Sequence, residues 1–187
     1  GVVNSIYNVT ANLSSSDGCL NITANNITVD GRGFSLSFGS STVSTVFGIN
    51  VAGANGTVIK NFKLIEQAGN SGLNKEGIRF LKAYNGTVVN VSTIRTTSSS
   101  SDGILLTSSG YINITLNGIN SSDIGNGIFL SSSSENNTIT GNTIYNNGTS
   151  SDGIVLSVSN NNSILGNIIL GNSTTSDGII ISLSNNT

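Results

Sequence analysis

The chain of 187 residues has no histidine, methionine, tryptophan or proline, and a single cysteine, Cys19. Without His and with one thiol it builds no zinc site, no Cys/His or Ser/His/Asp catalytic set and no internal disulfide. No cofactor is expected. Charge is scarce: 9% of residues are Asp, Glu, Lys or Arg, seven basic and nine acidic, for a net charge of −2. That leaves no cationic patch for a phosphate backbone, so nucleic acid is not an expected partner. Long apolar runs are missing too. The longest, such as Ile179-Ile180-Ile181, fall far below the roughly 20 residues that cross a bilayer, and membrane insertion is not expected. The sequence opens at Gly1 with neither an initiator Met nor a charged-then-apolar leader. That is the start expected of a secreted, extracellular or cell-surface chain whose signal peptide has been removed.

What the chain has instead is small and polar: 32 Ser, 29 Asn and 19 Thr, together 80 of 187 residues. Hydrophobic residues still make up 36%, and 23 residues are Ile, which suits a narrow aliphatic core. Such low complexity means either disorder or a repeat, and periodicity decides between them. A glycine followed by an apolar residue recurs at Gly48-Ile49, Gly77-Ile78, Gly103-Ile104, Gly127-Ile128, Gly153-Ile154 and Gly178-Ile179, with spacings of 29, 26, 24, 26 and 25, and Gly18-Cys19 extends the series. A second apolar column lies 11 or 12 residues after each glycine, at Val29, Ile59, Val89, Ile114, Ile139 and Ile164. A third follows five residues later, at Phe34, Leu64, Ile94, Ile119, Ile144 and Ile169.

Three apolar columns per repeat mean three strands per turn. Within each unit the pattern alternates with period two, as in Ile104-Leu105-Leu106 and Ile154-Val155-Leu156, which is strand patterning with the middle residue outward. Asn-Gly at 55, 85 and 147 and Asp-Gly at 102, 152 and 177 tolerate positive φ and supply corners. The fold expected is all-β: a right-handed parallel β-helix, or solenoid, of about six to seven rungs of roughly 25 residues. It forms one domain over 1–187, with 1–17 an incomplete first rung and 18–187 regular. Asn117, Asn142 and Asn167 fall three residues after the second column and are expected to stack as an inward or corner ladder of amides, which can satisfy one another. In earlier rungs the same slot is read as Arg32, Phe62 and Ser92.

The segments Asn-Asn-Ile-Thr-Val-Asp-Gly-Arg-Gly (25–33), Asn-Gly-Thr-Val-Ile-Lys-Asn-Phe (55–62) and Gly-Ile-Phe-Leu-Ser-Ser-Ser-Ser-Glu-Asn-Asn-Thr-Ile-Thr-Gly-Asn-Thr-Ile (127–144) resemble the parallel β-helix repeats of NosD-like, pectate-lyase-like surface proteins. The resemblance covers the chain from about residue 17. It implies the fold firmly and the function weakly, because that superfamily holds lyases, hydrolases, epimerases and non-enzymatic surface proteins. It also implies that a catalytic member would gather acidic residues, often with calcium and an Arg or Lys, on one outer face.

Here Asp102, Asp152 and Asp177 precede the glycine column, with Asp17 and Glu76 read in the same slot. A calcium bridge between neighbours is one reading, and corner capping by side-chain hydrogen bonds is the simpler one. Lys60, Lys63, Lys75, Arg79, Lys82 and Arg95 lie in the two rungs with longer loops, as a substrate groove or as a solvated surface. No catalytic residue is assigned.

Sequons number 14: Asn8, Asn12, Asn21, Asn26, Asn55, Asn85, Asn90, Asn113, Asn120, Asn136, Asn147, Asn161, Asn172 and Asn185. Asn26, Asn55, Asn85, Asn136, Asn161 and Asn185 stand three or four residues before the second column, which places a ridge of N-linked glycans along one corner. Leu105, Phe129, Val155 and Ile180 form an outward apolar stripe on the last four rungs.

Neither end reads as capped. The last residues, Ser184-Asn185-Asn186-Thr187, stop one residue short of a new strand, and the first, through Tyr7 and Asn8, align with the internal segment 139–146. Continuity of this kind makes a head-to-tail contact between copies that does not close on itself and builds a filament. Gly1, Val2, Asn4, Ile6 and Tyr7 would meet Ile179, Ile181, Asn185, Asn186 and Thr187. A fragment cut from a longer β-helix would show the same complementarity. The expected function is a non-enzymatic extracellular structural protein that stacks on itself. The alternative is a carbohydrate-binding or carbohydrate-cleaving β-helix.

Overall fold

The computed structural model describes residues 2–41, 45–67, 74–94, 101–121, 124–172 and 175–185. The chain winds through seven turns of three strands each. Turn one is β1 (Ile6–Asn8), β2 (Leu13–Ser14) and β3 (Leu20–Ile22); turn two is β4 (Thr28–Asp30), β5 (Ser35–Phe38) and β6 (Thr45–Ala52). Turn three is β7 (Val58–Lys60), β8 (Lys63–Glu66) and β9 (Asn74–Leu81); turn four is β10 (Thr87–Val89), β11 (Ser92–Ile94) and β12 (Ile104–Thr107). Turn five is β13 (Asn113–Thr115), β14 (Gly118–Ser121) and β15 (Ile128–Ser131); turn six is β16 (Thr138–Thr140), β17 (Thr143–Asn146) and β18 (Ile154–Ser157). Turn seven is β19 (Ser163–Leu165), β20 (Ile168–Gly171) and β21 (Ile179–Ser182). Every third strand joins the same sheet, giving three seven-stranded parallel sheets, with β1, β2 and β3 at one edge and β19, β20 and β21 at the other. This is the right-handed β-helix that the period predicts. Residues 1–17, read as an incomplete rung, supply β1 and β2.

Alternation sets the core. Val29, Ile59, Val88, Ile114 and Ile139 point inward from the first sheet, and Leu36, Leu64, Ile119 and Ile144 from the second. The third sheet contributes two residues per turn, as in Ile78 with Phe80, Ile104 with Leu106 and Ile128 with Leu130, all fully buried. Each such side chain stabilises the fold by about 1.5–3 kcal/mol through burial alone.

Pairing corrects several positions by one or two residues. Val88, not Val89, pairs with Ile59 and Ile114, and Leu36, not Phe34, pairs with Leu64. Thr93, not Ile94, takes the inward place of its strand, opposite Leu64 and Ile119. Leu20 pairs with Ile49, so Cys19 stands opposite Gly48 and Asp17 falls outside the acidic column.

The glycine column has a steric cause. A Cβ on Gly103 would lie 2.6 Å from the carbonyl oxygen of Gly127, one on Gly127 would lie 2.6 Å from that of Gly153, and one on Gly77 would lie 2.6 Å from that of Gly103. Backbones of successive turns approach so closely there that only hydrogen fits.

Corners are turned by columns of left-handed residues. Asn26, Asn85, Asn136 and Asn161 have φ of 55–57°, with Gly56 and Tyr111 completing the column. Asn tolerates this region well, whereas a β-branched residue there costs on the order of 1–2 kcal/mol. Val158, at φ 50° and exposed, is such a residue. Val158→Gly is therefore expected to raise the melting temperature by a few degrees, about 1 kcal/mol, in thermal unfolding followed by circular dichroism.

The amide ladder is present and inward. The Asn117 Nδ2 donates to Asn142 Oδ1 at 3.0 Å and Asn142 Nδ2 to Asn167 Oδ1 at 2.9 Å, while the same Nδ2 groups reach the carbonyls of Val88 and Ile114. Val91, rather than Ser92, holds the preceding slot, since its N–H donates to Asn117 Oδ1. By the pairing of Ser35 with Lys63, Phe34 replaces Arg32 two turns earlier. A second stack, Asn137 on Asn162, and a serine column, Ser109, Ser134, Ser159 and Ser184, run beside it, each backbone N–H donating to the side-chain oxygen one turn on. Both repeat at 25 residues, a period that so many other Asn and Ser mask in the sequence.

Candidate functional site

With the interior filled by aliphatics and self-satisfied amides, chemistry has only the outer faces. Most of the basic residues are dispersed. Lys75 is buried, Arg79 faces out of the third sheet and stacks 3.6 Å over the Phe47 ring, and Lys82 stands at a corner. Arg79 Nε also donates to Asn50 Oδ1, and burial lowers its pKa while Glu76 raises it. Arg95 lies outside the described residues.

A different set converges on the corner between the first and second sheets. Arg32, Asn61, Lys63 and Asn90 line an open groove of about 480 Å³ above Phe62 and Val91. Arg32, Asn61 and Asn90 all adopt left-handed backbone, with Leu116 continuing the column. In turn two the corner takes two such residues, Arg32 and Gly33. Beside it, Asp30 Oδ1 accepts from Asn61 Nδ2 at 2.9 Å and from the Arg32 N–H at 2.9 Å, and Asn90 Nδ2 donates to Asn61 Oδ1 at 2.8 Å. Lys60 stands 3.4 Å from Asp30. These hydrogen bonds, Asn61 first, hold the Asp30 carboxyl below its usual range. Asp30 therefore supports the fold above the ordinary carboxylate pKa, and that support is lost as pH falls through the lowered value.

The acidic column caps the next corner. Asp102 Oδ1 accepts from the N–H and Nδ2 of Asn126, Asn126 Oδ1 accepts from the Asp152 N–H, and Asp152 Oδ1 accepts from the Asp177 N–H at 2.7 Å. Each oxygen serves the backbone one turn along, which matches the capping reading. Among the described residues no group of three or more His, Cys, Asp or Glu side chains gathers to hold a metal ion.

All 14 sequon asparagines lie on the surface, Asn120 and Asn136 half-buried and the rest exposed. The corner ridge resolves into two neighbouring columns. Asn26, Asn85, Asn136 and Asn161 stand in one, while Asn55 belongs with Asn25, whose Oδ1 takes the Asn55 N–H, and Asn185 with Asn160 in the same way. The amide nitrogens of Asn26, Asn90 and Asn147 donate to neighbouring asparagines. The outward stripe runs as expected, Leu105 pairing with Phe129, Phe129 with Val155 and Val155 with Ile180.

At the ends, Val2, Ile6 and Tyr7 at one and Ile179 and Ile181 at the other are exposed, although Tyr7, Ile179 and Ile181 continue the core columns of Val29, Ile154 and Leu156. Asn4 accepts from Asn26 and Asn185 donates to Asn160. Gly1, Asn186 and Thr187 lie outside the described residues.

Three parallel sheets, stacked inward columns and outward grooves define a β-helix repeat protein. The chain belongs to the NosD family, described as periplasmic copper-binding protein, whose model matches residues 3–186. Among solved structures it is similar to the enzymatically active domain of tailspike protein 2 of bacteriophage CBA120, at 15% identity and a TM-score of 0.53, covering 98% of this chain and 38% of that one. It is also similar to the surface protein and adhesin PfbA of Streptococcus pneumoniae, at 12% identity and a TM-score of 0.34, covering 88% of this chain and 69% of that one. The chain thus spans less than half of the tailspike domain, and at this identity the likeness speaks for the fold alone. No curated protein matches it.

The donor set of these 187 residues does not fit copper, which favours thiolate, thioether and imidazole ligands. The chain has no His and no Met. Cys19 is half-buried and donates to the Ser37 carbonyl at 3.3 Å, and burial raises its pKa, which disfavours the thiolate a metal needs.

Proposed function

We propose that this chain is a non-enzymatic, extracytoplasmic structural β-helix whose turns continue end to end into those of a second copy, forming a filament or surface coat. The observation that carries this reading is the apolar register of the outermost described strands. β1, β2 and β3 stand at one edge of the three sheets and β19, β20 and β21 at the other. Carrying the register one turn further sets Tyr7 on Ile164, Leu13 on Ile169, Leu20 on Ile179 and Ile22 on Ile181, apolar on apolar in all three sheets. Such a contact supplies partners to exposed strand edges and, being heterologous, propagates. The periplasmic description of the NosD family supports placement outside the cytoplasm. N-linked glycans on the exposed corner sequons belong to the same reading, and an intact mass without hexose additions would remove them.

Electron microscopy of the protein at micromolar concentration tests the stacking. Unbranched fibres with an axial repeat near seven strand spacings, roughly 34 Å, are expected. Ile181→Asp, which sets a charge on the terminal face, should leave the β-sheet circular dichroism intact and abolish the fibres. Monomeric rods from the unaltered chain would overturn the proposal.

A further inference from the structure

We propose that stacking requires an exchange at the seam: residues 2–4 of the incoming copy leave their corner, and the segment around Ser184 and Asn185 of the copy before it takes that corner instead. The inference rests on the end-to-end reading and adds a stopper that has to be removed first. A column of backbone carbonyls stands three residues before each strand of the first sheet, at Asn25, Asn55, Tyr84, Gly110, Glu135 and Asn160. Each accepts an N–H from the turn before it, Asn25 from Asn4, Asn55 from Asn26 and so on to Asn160 from Asn136. Val3 stands three residues before β1 and so opens the column. Asn185 closes it one turn beyond Asn160, because its carbonyl accepts from Asn161 at 2.7 Å. The register of the first sheet sets Val3 of a second copy in that same place, one turn beyond Asn160, and Val2 in the place of Ser184. Two segments cannot fill one corner, so one of them yields.

Hydrogen bonding decides which. Ser184 Oγ accepts the Ser159 N–H at 2.9 Å, and the Asn185 N–H donates to Asn160 Oδ1 at 2.8 Å. These bonds extend columns that run through the preceding turns. The opposite segment is held more loosely. The Asn4 N–H reaches the Asn25 carbonyl at 3.3 Å, just beyond the usual range, and Asn26 Nδ2 donates to Asn4 Oδ1 at 2.9 Å. The Val2 N–H donates to the Tyr7 hydroxyl, within the same terminal turn. Val2 and Val3 are 71% and 53% exposed, so burial does little to keep them in place. The replacement also matches chemically. In the sequence Asn185 is followed by Asn186 and Thr187 as Val3 is followed by Asn4 and Ser5, so the incoming segment brings an amide and a hydroxyl where an amide and a hydroxyl depart.

Two full-length variants test the exchange from opposite sides, read out as the lowest protein concentration at which fibres pellet. Val3→Cys/Asn25→Cys, made with Cys19→Ser, ties the segment down, since successive turns lie roughly 4.8 Å apart, within the span of a disulfide. Its oxidised form is expected to need about tenfold more protein or not to assemble, a loss of one decade in the stacking constant, and reduction should restore assembly. Asn4→Pro frees the segment, because proline can neither adopt the φ of 60° found there nor donate to Asn25, and it should assemble at lower concentration than the unaltered chain. Both variants should keep the β-sheet circular dichroism. Equal assembly of the oxidised and reduced forms would overturn the exchange and leave stacking standing. Absence of fibres from the unaltered chain, the reduced pair and Asn4→Pro alike would overturn stacking itself.

Discussion

Replacing Asn142 with Ala is expected to lower the melting temperature by roughly 10 °C, a loss of about 3 kcal/mol. Asn142 is buried in the middle of the inner stack. Its Oδ1 accepts both the N–H and the Nδ2 of Asn117, and its Nδ2 donates to the Ile114 carbonyl and to Asn167 Oδ1. Removing the amide takes the side-chain partner from the buried Asn117 N–H and the Ile114 carbonyl, and leaves Asn117 Nδ2 with Val88 alone and Asn167 Oδ1 with the Asn142 N–H alone. An unmade hydrogen bond in such a setting costs more than a made one contributes. Differential scanning calorimetry is the direct check. A drop of less than about 2 °C would mean that the stack merely fills space.

A larger effect is expected from Gly127→Ala, although the change adds a single carbon. The new Cβ would sit 2.5 Å from Ile144 Cγ2 and 2.6 Å from the Gly153 carbonyl oxygen. Neither neighbour can retreat. Gly127 donates to Asp152 and Ile128 to Gly153 at 2.9 and 3.0 Å, so opening the gap breaks ladder bonds on both sides. Overpacking against backbone of this kind exceeds the usual range of about 1–3 kcal/mol, and the variant is expected to lose more than Asn142→Ala or to accumulate insoluble. Gly171→Ala is the control. A Cβ there meets nothing within 4 Å, and its melting temperature should barely move. Equal behaviour of the two glycine variants would refute the close-approach account.

The fold was readable in the sequence because a solenoid repeats its environment every turn, and a repeated environment selects the same residue types at the same spacing. The glycine column, the Asn117 stack and the outward stripe all emerged in this way. Finer positions did not. Val88 and Val89 are identical in chemistry, so hydropathy offers no means of choosing between them, and only pairing with Ile59 decides. At β11 the more apolar Ile94 was the natural choice, yet the register gives Thr93 the inward place. The groove is not legible in the sequence for a related reason. Counting from Val29 puts Arg32 in the slot of Asn117, but the tight bend at Gly31, Arg32 and Gly33 inserts extra length there. That shift carries Arg32 out to the corner and puts Phe34 in the slot instead. Basic residues are most frequent between 60 and 95, whereas the convergent pair is Arg32 with Lys63 from adjacent turns.

The side-chain amides of this rod also have a sense. Inside, Asn117, Asn142 and Asn137 divide their Nδ2 protons, one going to the amide oxygen of the C-terminal turn and one to a carbonyl of the N-terminal turn. Outside, Asn26, Asn50, Asn61, Asn90, Asn126 and Asn147 pass theirs toward the N-terminal turn. Each inner amide therefore ties its turn to both neighbours, whereas each of these outer ones reaches back to one. A further turn carrying an inner amide therefore adds hydrogen bonds to both of its neighbours, so the stack gains cohesion in step with its length.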